Sequence, residues 1–141
     1  MTKEDRDKIL IIPCSGIGKP GGTIARLAMY YVVEDLLPEE TATLCLPLLV
    51  IGDEETKKRV QHSPTITIDG CPSMCASKNV QLSGGILSAS LNVVRIYRDY
   101  INLEVNSVAN PGPEGEKFAR IVAGKILKEI EKVKRERNAK V

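Results

Sequence analysis

The segment that decides the fold lies near the start of the chain, Lys8-Ile-Leu-Ile-Ile-Pro-Cys-Ser-Gly16. Its uninterrupted apolar run, bounded by a charge and a proline, is typical of a strand that is covered on both faces. A glycine-rich segment, Cys14 to Gly22, follows, and from Thr23 to Leu37 apolar residues recur at helical spacing before Pro38. A buried strand, a loop and a helix in this order indicate a parallel βα unit.

The same alternation continues through the middle of the chain. Thr41 to Leu46 and Thr65 to Ile68 are predicted strands, and Asp53 to Gln61 is a short polar helix opened by an acidic capping residue. A third helix is predicted to begin at Cys71, with Pro72 in its first turn. These elements extend the βα pattern over two further strands.

The last third of the chain supplies a fourth strand, predicted near Asn92 to Tyr97, and a long helix that opens at Pro111 to Gly115. Three- and four-residue steps place one apolar stripe along that helix. The stripe consists of Phe118, Ile121, Val122, Ile126, Leu127, Ile130 and Val133. We therefore predict one α/β domain over residues 1–141, with an open, mostly parallel sheet of about four strands and helices on both faces, flavodoxin- or Rossmann-like.

Composition excludes several classes of function. The 20 basic and 18 acidic side chains give a net charge of only +2, and aromatic residues make up 4%, so nucleic acid is not an expected partner. The charged N-terminus lacks the apolar stretch of a signal peptide, and the longest apolar run, Leu44 to Gly52, is too short to span a bilayer. We predict a cytoplasmic protein without a membrane partner, whose protein partners and oligomeric state the sequence leaves open.

The four cysteines occupy related places in this pattern. Cys14 follows the first predicted strand, Cys45 ends the second, and Cys71 follows the third. The carboxyl ends of parallel strands share one edge of a sheet, so the strand order 2-1-3-4 would bring these thiols together. Cys75 is four residues after Cys71 and would lie on the same face of a helix. The pattern predicts a four-sulfur site.

Four thiolates are a ligand set for tetrahedral zinc, and the spacing of Cys71 and Cys75 falls within the range of known zinc pairs. A closed site of this kind has no vacant position for water, so we expect a structural or regulatory zinc ion and no hydrolytic reaction. Iron or an iron–sulfur cluster could use the same four thiolates. Burial of the cysteines as small inert hydrophobes is the remaining alternative.

The motifs around these cysteines carry a resemblance. Ile68-Asp-Gly-Cys-Pro-Ser-Met-Cys-Ala76, with Pro13-Cys-Ser-Gly-Ile-Gly-Lys19 and Cys45-Leu-Pro47, resembles the DGC family, which is named for its central Asp-Gly-Cys and regarded as zinc-binding. The resemblance implies that Cys14, Cys45, Cys71 and Cys75 chelate the metal. It implies no particular reaction.

Two other functions remain open. Cys71 at a helix N-terminus would have a lowered pKa and could act as a nucleophile in redox or sulfur-transfer chemistry, with Cys14 or Cys75 as the resolving thiol. The segment Gly16 to Gly21 fits a dinucleotide fingerprint between a strand and a helix, which would make it a nucleotide or phosphate site. The second strand, however, lacks the acidic residue that holds a ribose.

The sequence also suggests roles for four residues other than the cysteines. We expect Asp69 to be structural, forming hydrogen bonds within the strand-to-helix turn, and His62 to be a surface residue. Lys19 and Arg26 could offset the negative charge of a zinc–thiolate centre, or they could be solvated surface charges.

Overall fold

The computed structural model of the protein describes residues 2–140 and confirms the predicted α/β architecture. Its sheet has four parallel strands in the order β2-β1-β3-β4, which is the predicted 2-1-3-4 order. The strands are β1 Ile9–Pro13, β2 Thr41–Ala42, β3 Thr65–Asp69 and β4 Leu87–Asn92.

Helices cover both faces of this sheet. They are α1 Lys3–Asp7, α2 Pro20–Tyr30, which continues as a π-helical turn Tyr31–Leu36, α3 Leu46–Val50, α4 Glu54–His62, α5 Cys75–Leu82, α6 Val93–Tyr97 and α7 Gly112–Ala139. No helix within residues 2–140 is both long enough and apolar enough to cross a bilayer.

The core has two parts because β1 and β3 are buried on both faces. On one side Ile9 and Ile11 of β1 pack against α2, α6 and α7, where the predicted apolar stripe of the last helix is buried around Phe118. On the other side Leu10 and Ile12 pack against α3, α4 and α5. Alternate residues of one strand therefore serve opposite helical layers, as expected for a central strand.

The second strand is shorter than predicted. β2 ends at Ala42, and Cys45 lies three residues later as the N-cap of α3, so its predicted position at the end of a strand is wrong. Pro47 at the start of α3 favours a helix, and Leu46 and Leu49 bury one helical face. β2 is an edge strand with one neighbour, and the chain leaves the sheet after it to form α3, which adds apolar side chains to the core.

The third predicted helix begins later than expected. α5 starts at Cys75, so Cys71 lies in the preceding turn and does not share a helical face with Cys75. Met74, in the left-handed conformation with φ 56°, separates the turn from the helix. The chain cannot be helical across such a residue.

The fourth strand lies earlier than predicted. β4 spans Leu87–Asn92, whereas Val93–Tyr97 form α6. Gly84, with φ 73°, ends the preceding helix, and the Asn92 carboxamide oxygen accepts a hydrogen bond from the Arg95 N–H, which caps α6. β4 is at the sheet edge and half-exposed, so it lacks the continuous apolar run that marks β1.

Candidate functional site

All four cysteines lie beyond the carboxyl ends of the strands. Cys14 follows β1 directly, Cys71 is two residues after β3, Cys45 is the N-cap of α3 and Cys75 opens α5. None of them is buried: Cys14 and Cys71 are half-buried, and Cys45 and Cys75 are exposed. Unpaired cysteine is among the residue types most often buried, so this distribution contradicts a role as inert core residues.

Two of the thiols share a cleft over β1 and β2, which we call the Cys14–Cys45 cleft. It has a volume of about 530 Å³, and α2 contributes Arg26 to its wall. Thr43 also lines it, and the Thr43 hydroxyl oxygen is buried without a hydrogen-bond partner among residues 2–140. An unpaired polar atom of this kind is expected where a cleft takes up a polar or charged group.

Cys75 belongs to the same side of the sheet. Its chain neighbour Ala76 packs in one cluster with Leu46, the chain neighbour of Cys45, and Cys14 borders that cluster. Cys71 instead lines a second cleft between α2, α6 and α7, which we call the Cys71 cleft. Cys14 also borders the core cluster on that side of the sheet, so it lies between the two clefts.

The thiols are not gathered into a closed site in this conformation. Within residues 2–140 no three Cys, His, Asp or Glu side chains lie close enough together to hold a metal ion. By donor type the residues nevertheless fit zinc, because four accessible sulfurs share one edge of the sheet. Binding all four requires the loops that carry them to approach one another.

Asp69 anchors the loop that carries Cys71. Its buried carboxylate accepts hydrogen bonds from the Ala76 N–H at 2.8 Å, the Ser77 N–H at 3.2 Å and the Ser77 hydroxyl at 2.8 Å. The Ser77 hydroxyl also contacts the hydroxyls of Thr67 and Ser90, each at 2.7 Å. The structural role expected for Asp69 is thus correct, although the bonds span seven and eight residues and not a local turn.

Glycine is required where the loops cross. A methyl group built on Gly70 would overlap the backbone of Gly21 and Gly22, and one built on Gly22 would overlap the backbone of Gly16. The Gly70 N–H also donates to the Cys14 sulfur at 3.2 Å. Gly21 and Gly22 thus allow close contact between loops, whereas a methyl group on Gly18 would meet no atom within 4 Å.

The surroundings of Cys71 favour its thiolate. Hydrogen bonds from the backbone N–H and the hydroxyl of Ser73 hold the pKa of Cys71 below its ordinary value, the Lys19 ammonium acts in the same direction, and desolvation opposes both. The predicted cause was a helix N-terminus, which is wrong because α5 begins four residues later. No local pattern marked the role of Ser73, because a serine between two cysteines resembles any spacer.

The predicted supporting residues can now be placed. Arg26 is half-buried and its guanidinium donates to the Ser15 hydroxyl at 3.2 Å, so it is held beside the Cys14–Cys45 cleft. Lys19 lines the Cys71 cleft. His62 is exposed and its Nδ1 contacts the Lys58 carbonyl, which confirms a surface position away from the cysteines.

One further residue was missed at the sequence level. The Asn92 amide donates to the Cys71 carbonyl at 3.1 Å and to the Met74 sulfur at 3.0 Å, which ties the end of β4 to the turn before α5. Only the pairing of β3 with β4 brings Asn92 to that turn, so no local pattern could have found it.

A family model described as the DGC domain matches residues 10–108, a range that contains all four cysteines, β2 to β4 and all of β1 except its first residue. No curated protein matches the chain, and no solved structure does.

Proposed function

The chain belongs to the DGC domain family, and from this membership and the placement of its thiols we propose that it binds one zinc ion through Cys14, Cys45, Cys71 and Cys75. The role of the ion is structural or regulatory. A closed tetrahedral centre has no position for a substrate, and no hydrolytic step is assigned to it.

One observation carries the proposal: the four cysteines of the chain all lie at the carboxyl edge of one sheet, and none is buried. That edge is where parallel α/β sheets bind ligands. Four accessible free thiols would expose a protein to oxidation unless they were bound or used in chemistry.

The surrounding residues prepare the thiols for a cation. A zinc ligand must be a thiolate, and Ser73 favours the thiolate of Cys71, whose pKa is lowered. Four thiolates around one divalent cation leave a net charge of about −2, which Arg26 and Lys19 partly offset from the two clefts. Bound zinc would cross-link the loops after β1, β2 and β3.

The test is metal content and thiol accessibility of the full chain, purified without added metal. Elemental analysis and native mass spectrometry should give one zinc per chain, and thiol titration should find the four cysteines masked until a chelator is added. Failure to take up zinc when it is supplied in excess to the reduced protein would refute the proposal. Intense visible absorption together with bound iron would show that the same four-cysteine site holds iron and not zinc.

Single Cys→Ser variants locate the ligands. Cys45→Ser should weaken zinc binding by at least tenfold, since each thiolate is one of four bonds to the metal. Ser88→Ala, at an exposed position on β4, is the control and should bind zinc as the native chain does. Unchanged zinc affinity in Cys45→Ser would remove this residue from the ligand set.

Thiol chemistry at Cys71 is the second candidate, favoured by the hydrogen bonds that Ser73 gives its sulfur. In thiol–disulfide exchange the Cys71 thiolate would attack one sulfur of a disulfide substrate and release the other as a thiolate; Cys14 or Cys75 would then displace the bound half. This function predicts one fast-reacting thiol in a protein that takes up no zinc, whereas zinc binding predicts four thiols protected together.

A further inference from the structure

The Cys71 cleft has the form of a binding site for a small organic molecule. Its volume is about 410 Å³, within the usual range for ligand pockets. Its floor is formed by Ile24 of α2, Val93 of α6 and Phe118 of α7, each at most 3% exposed. The cleft is therefore open to solvent above and reaches the core between three helices at its floor.

The walls of the cleft are also apolar. Val94, Val105 and the ring of Tyr97 line it. Tyr97 presents only its ring, because its hydroxyl donates to the Leu103 carbonyl at 2.7 Å, and the ring meets Phe118 edge-on with centroids 5.2 Å apart. A ligand body that fills this space must be hydrocarbon or aromatic in character.

The polar groups of the cleft lie together at its rim. Lys19 is the only charged side chain among the lining residues, and its ammonium forms no ion pair within residues 2–140. The start of α2, at Pro20 and Gly21, lines the same rim and has no side-chain cap. Pro20 has no N–H, and the Gly22 N–H donates to the Lys19 carbonyl at 3.0 Å, so the Lys19 ammonium is the group of this rim that favours a negatively charged ligand.

We propose that the Cys71 cleft binds a small organic anion, with an aliphatic or aromatic body between α2, α6 and α7 and a carboxylate or equivalent group beside Lys19. The proposal goes beyond zinc binding and is made for the metal-free chain, in which no metal centre engages the Cys71 and Lys19 side chains of this cleft. It does bring the ligand against Cys71, so occupancy of the cleft can be detected at that thiol.

Calorimetric titration of the full chain with octanoate, octan-1-ol and octylammonium tests the charge preference. These probes share a chain length and differ in the head group. Octanoate is expected to bind about tenfold more tightly than octylammonium and measurably more tightly than the alcohol. Equal affinity for all three probes, or no octanoate binding at millimolar concentration, would overturn the proposal.

Two pairs of variants locate the binding. Val94→Trp fills the cleft from a position that is already 39% exposed and should weaken octanoate binding at least tenfold, whereas Leu82→Trp, at an 84% exposed position outside the cleft, should not. Lys19→Gln should weaken octanoate binding about fivefold and leave octan-1-ol unaffected, and Lys78→Gln on α5 is its charge-matched control. Octanoate binding that survives Val94→Trp would place the ligand elsewhere.

Alkylation gives an independent readout. In protein treated with chelator, octanoate should slow the reaction of iodoacetamide with Cys71 and leave Cys45, in the other cleft, unaffected. Equal protection of the two thiols would contradict binding in the Cys71 cleft. A protein that binds octanoate but no zinc would refute the metal proposal alone, and the reverse result would refute this one alone.

Discussion

The two clefts at the sheet edge are both lined by α2, but α2 contributes a different kind of side chain to each. α2 contributes Arg26 to the Cys14–Cys45 cleft and Ile24 to the Cys71 cleft. The first cleft holds two thiols, a guanidinium and an unpaired hydroxyl, whereas the second has an apolar floor and one lysine at its rim. Thiols suit a cation such as zinc, the guanidinium can offset the negative charge of the thiolates that would hold it, and a hydrocarbon floor suits an organic ligand.

The difference shows how one sheet edge can serve two kinds of ligand. The loop after β3 belongs to both clefts, because Gly70 donates to the Cys14 sulfur while Gly70 and Cys71 line the apolar cleft. Asp69 holds that loop against α5. A change in the anchor should therefore affect both clefts, and a change in either wall should affect only one.

Asp69→Ala should produce the largest effect. It leaves the buried N–H groups of Ala76 and Ser77 without their acceptor, and unsatisfied buried groups of this kind each cost on the order of 1–3 kcal/mol. Urea denaturation should show a loss of about 3 kcal/mol in the free energy of unfolding. Zinc and octanoate binding should weaken together.

The control for this change is Asp53→Ala, which removes an N-cap of α4 that is far more accessible to water. Asp53→Ala should lower the urea midpoint less than Asp69→Ala does, and it should leave zinc and octanoate binding unchanged. If Asp69→Ala lowered the free energy of unfolding no more than Asp53→Ala does, the Asp69 carboxylate would not be the anchor of the loop.

Arg26→Gln should affect one cleft alone. Removing a cation that lies beside Cys14 and Cys45 should weaken zinc binding about threefold, the size expected of a partly solvated charge interaction. Octanoate binding should not change. Arg120→Gln is charge-matched and alters an exposed guanidinium that stacks on Tyr31, so it should change neither affinity. Equal effects of the two substitutions would mean that Arg26 acts only through net charge.

Ser73→Ala should have the smallest effect. It removes the hydroxyl that donates to Cys71, so the pKa of Cys71 should rise toward its ordinary value while the backbone hydrogen bond remains. Alkylation of metal-free protein near pH 7 should slow about twofold, because less thiolate is present, and the two rates should converge at a pH where the thiol is fully ionised. A rate difference that persists at high pH would indicate altered access and not altered ionisation.

The predicted fold was correct in its strand order and in its final helix because those features follow from strong patterns. The run from Ile9 to Pro13 is apolar throughout, as burial on two faces requires, and the stripe around Phe118 is long enough to define one helical face. β4 was misplaced because its alternating serines and small residues carry no such signal, and its position depends on pairing with β3.

The position of the four cysteines at one edge of the sheet was predicted, whereas their arrangement there was not. The edge position of the cysteines follows from the parallel order of the strands, which the structure confirms. The turn from Cys71 to Met74 could not be predicted, because it depends on Asp69 binding N–H groups seven and eight residues away. That turn also places Cys71 outside α5, so it does not share a helical face with Cys75.

The central claim is that four sulfurs from three loops hold one zinc ion, and X-ray absorption at the zinc edge of the zinc-loaded full chain tests it most directly. The account predicts a first shell of about four sulfur atoms at about 2.3 Å. A shell of nitrogen or oxygen atoms at about 2.0–2.1 Å, or one with two sulfurs only, would contradict it.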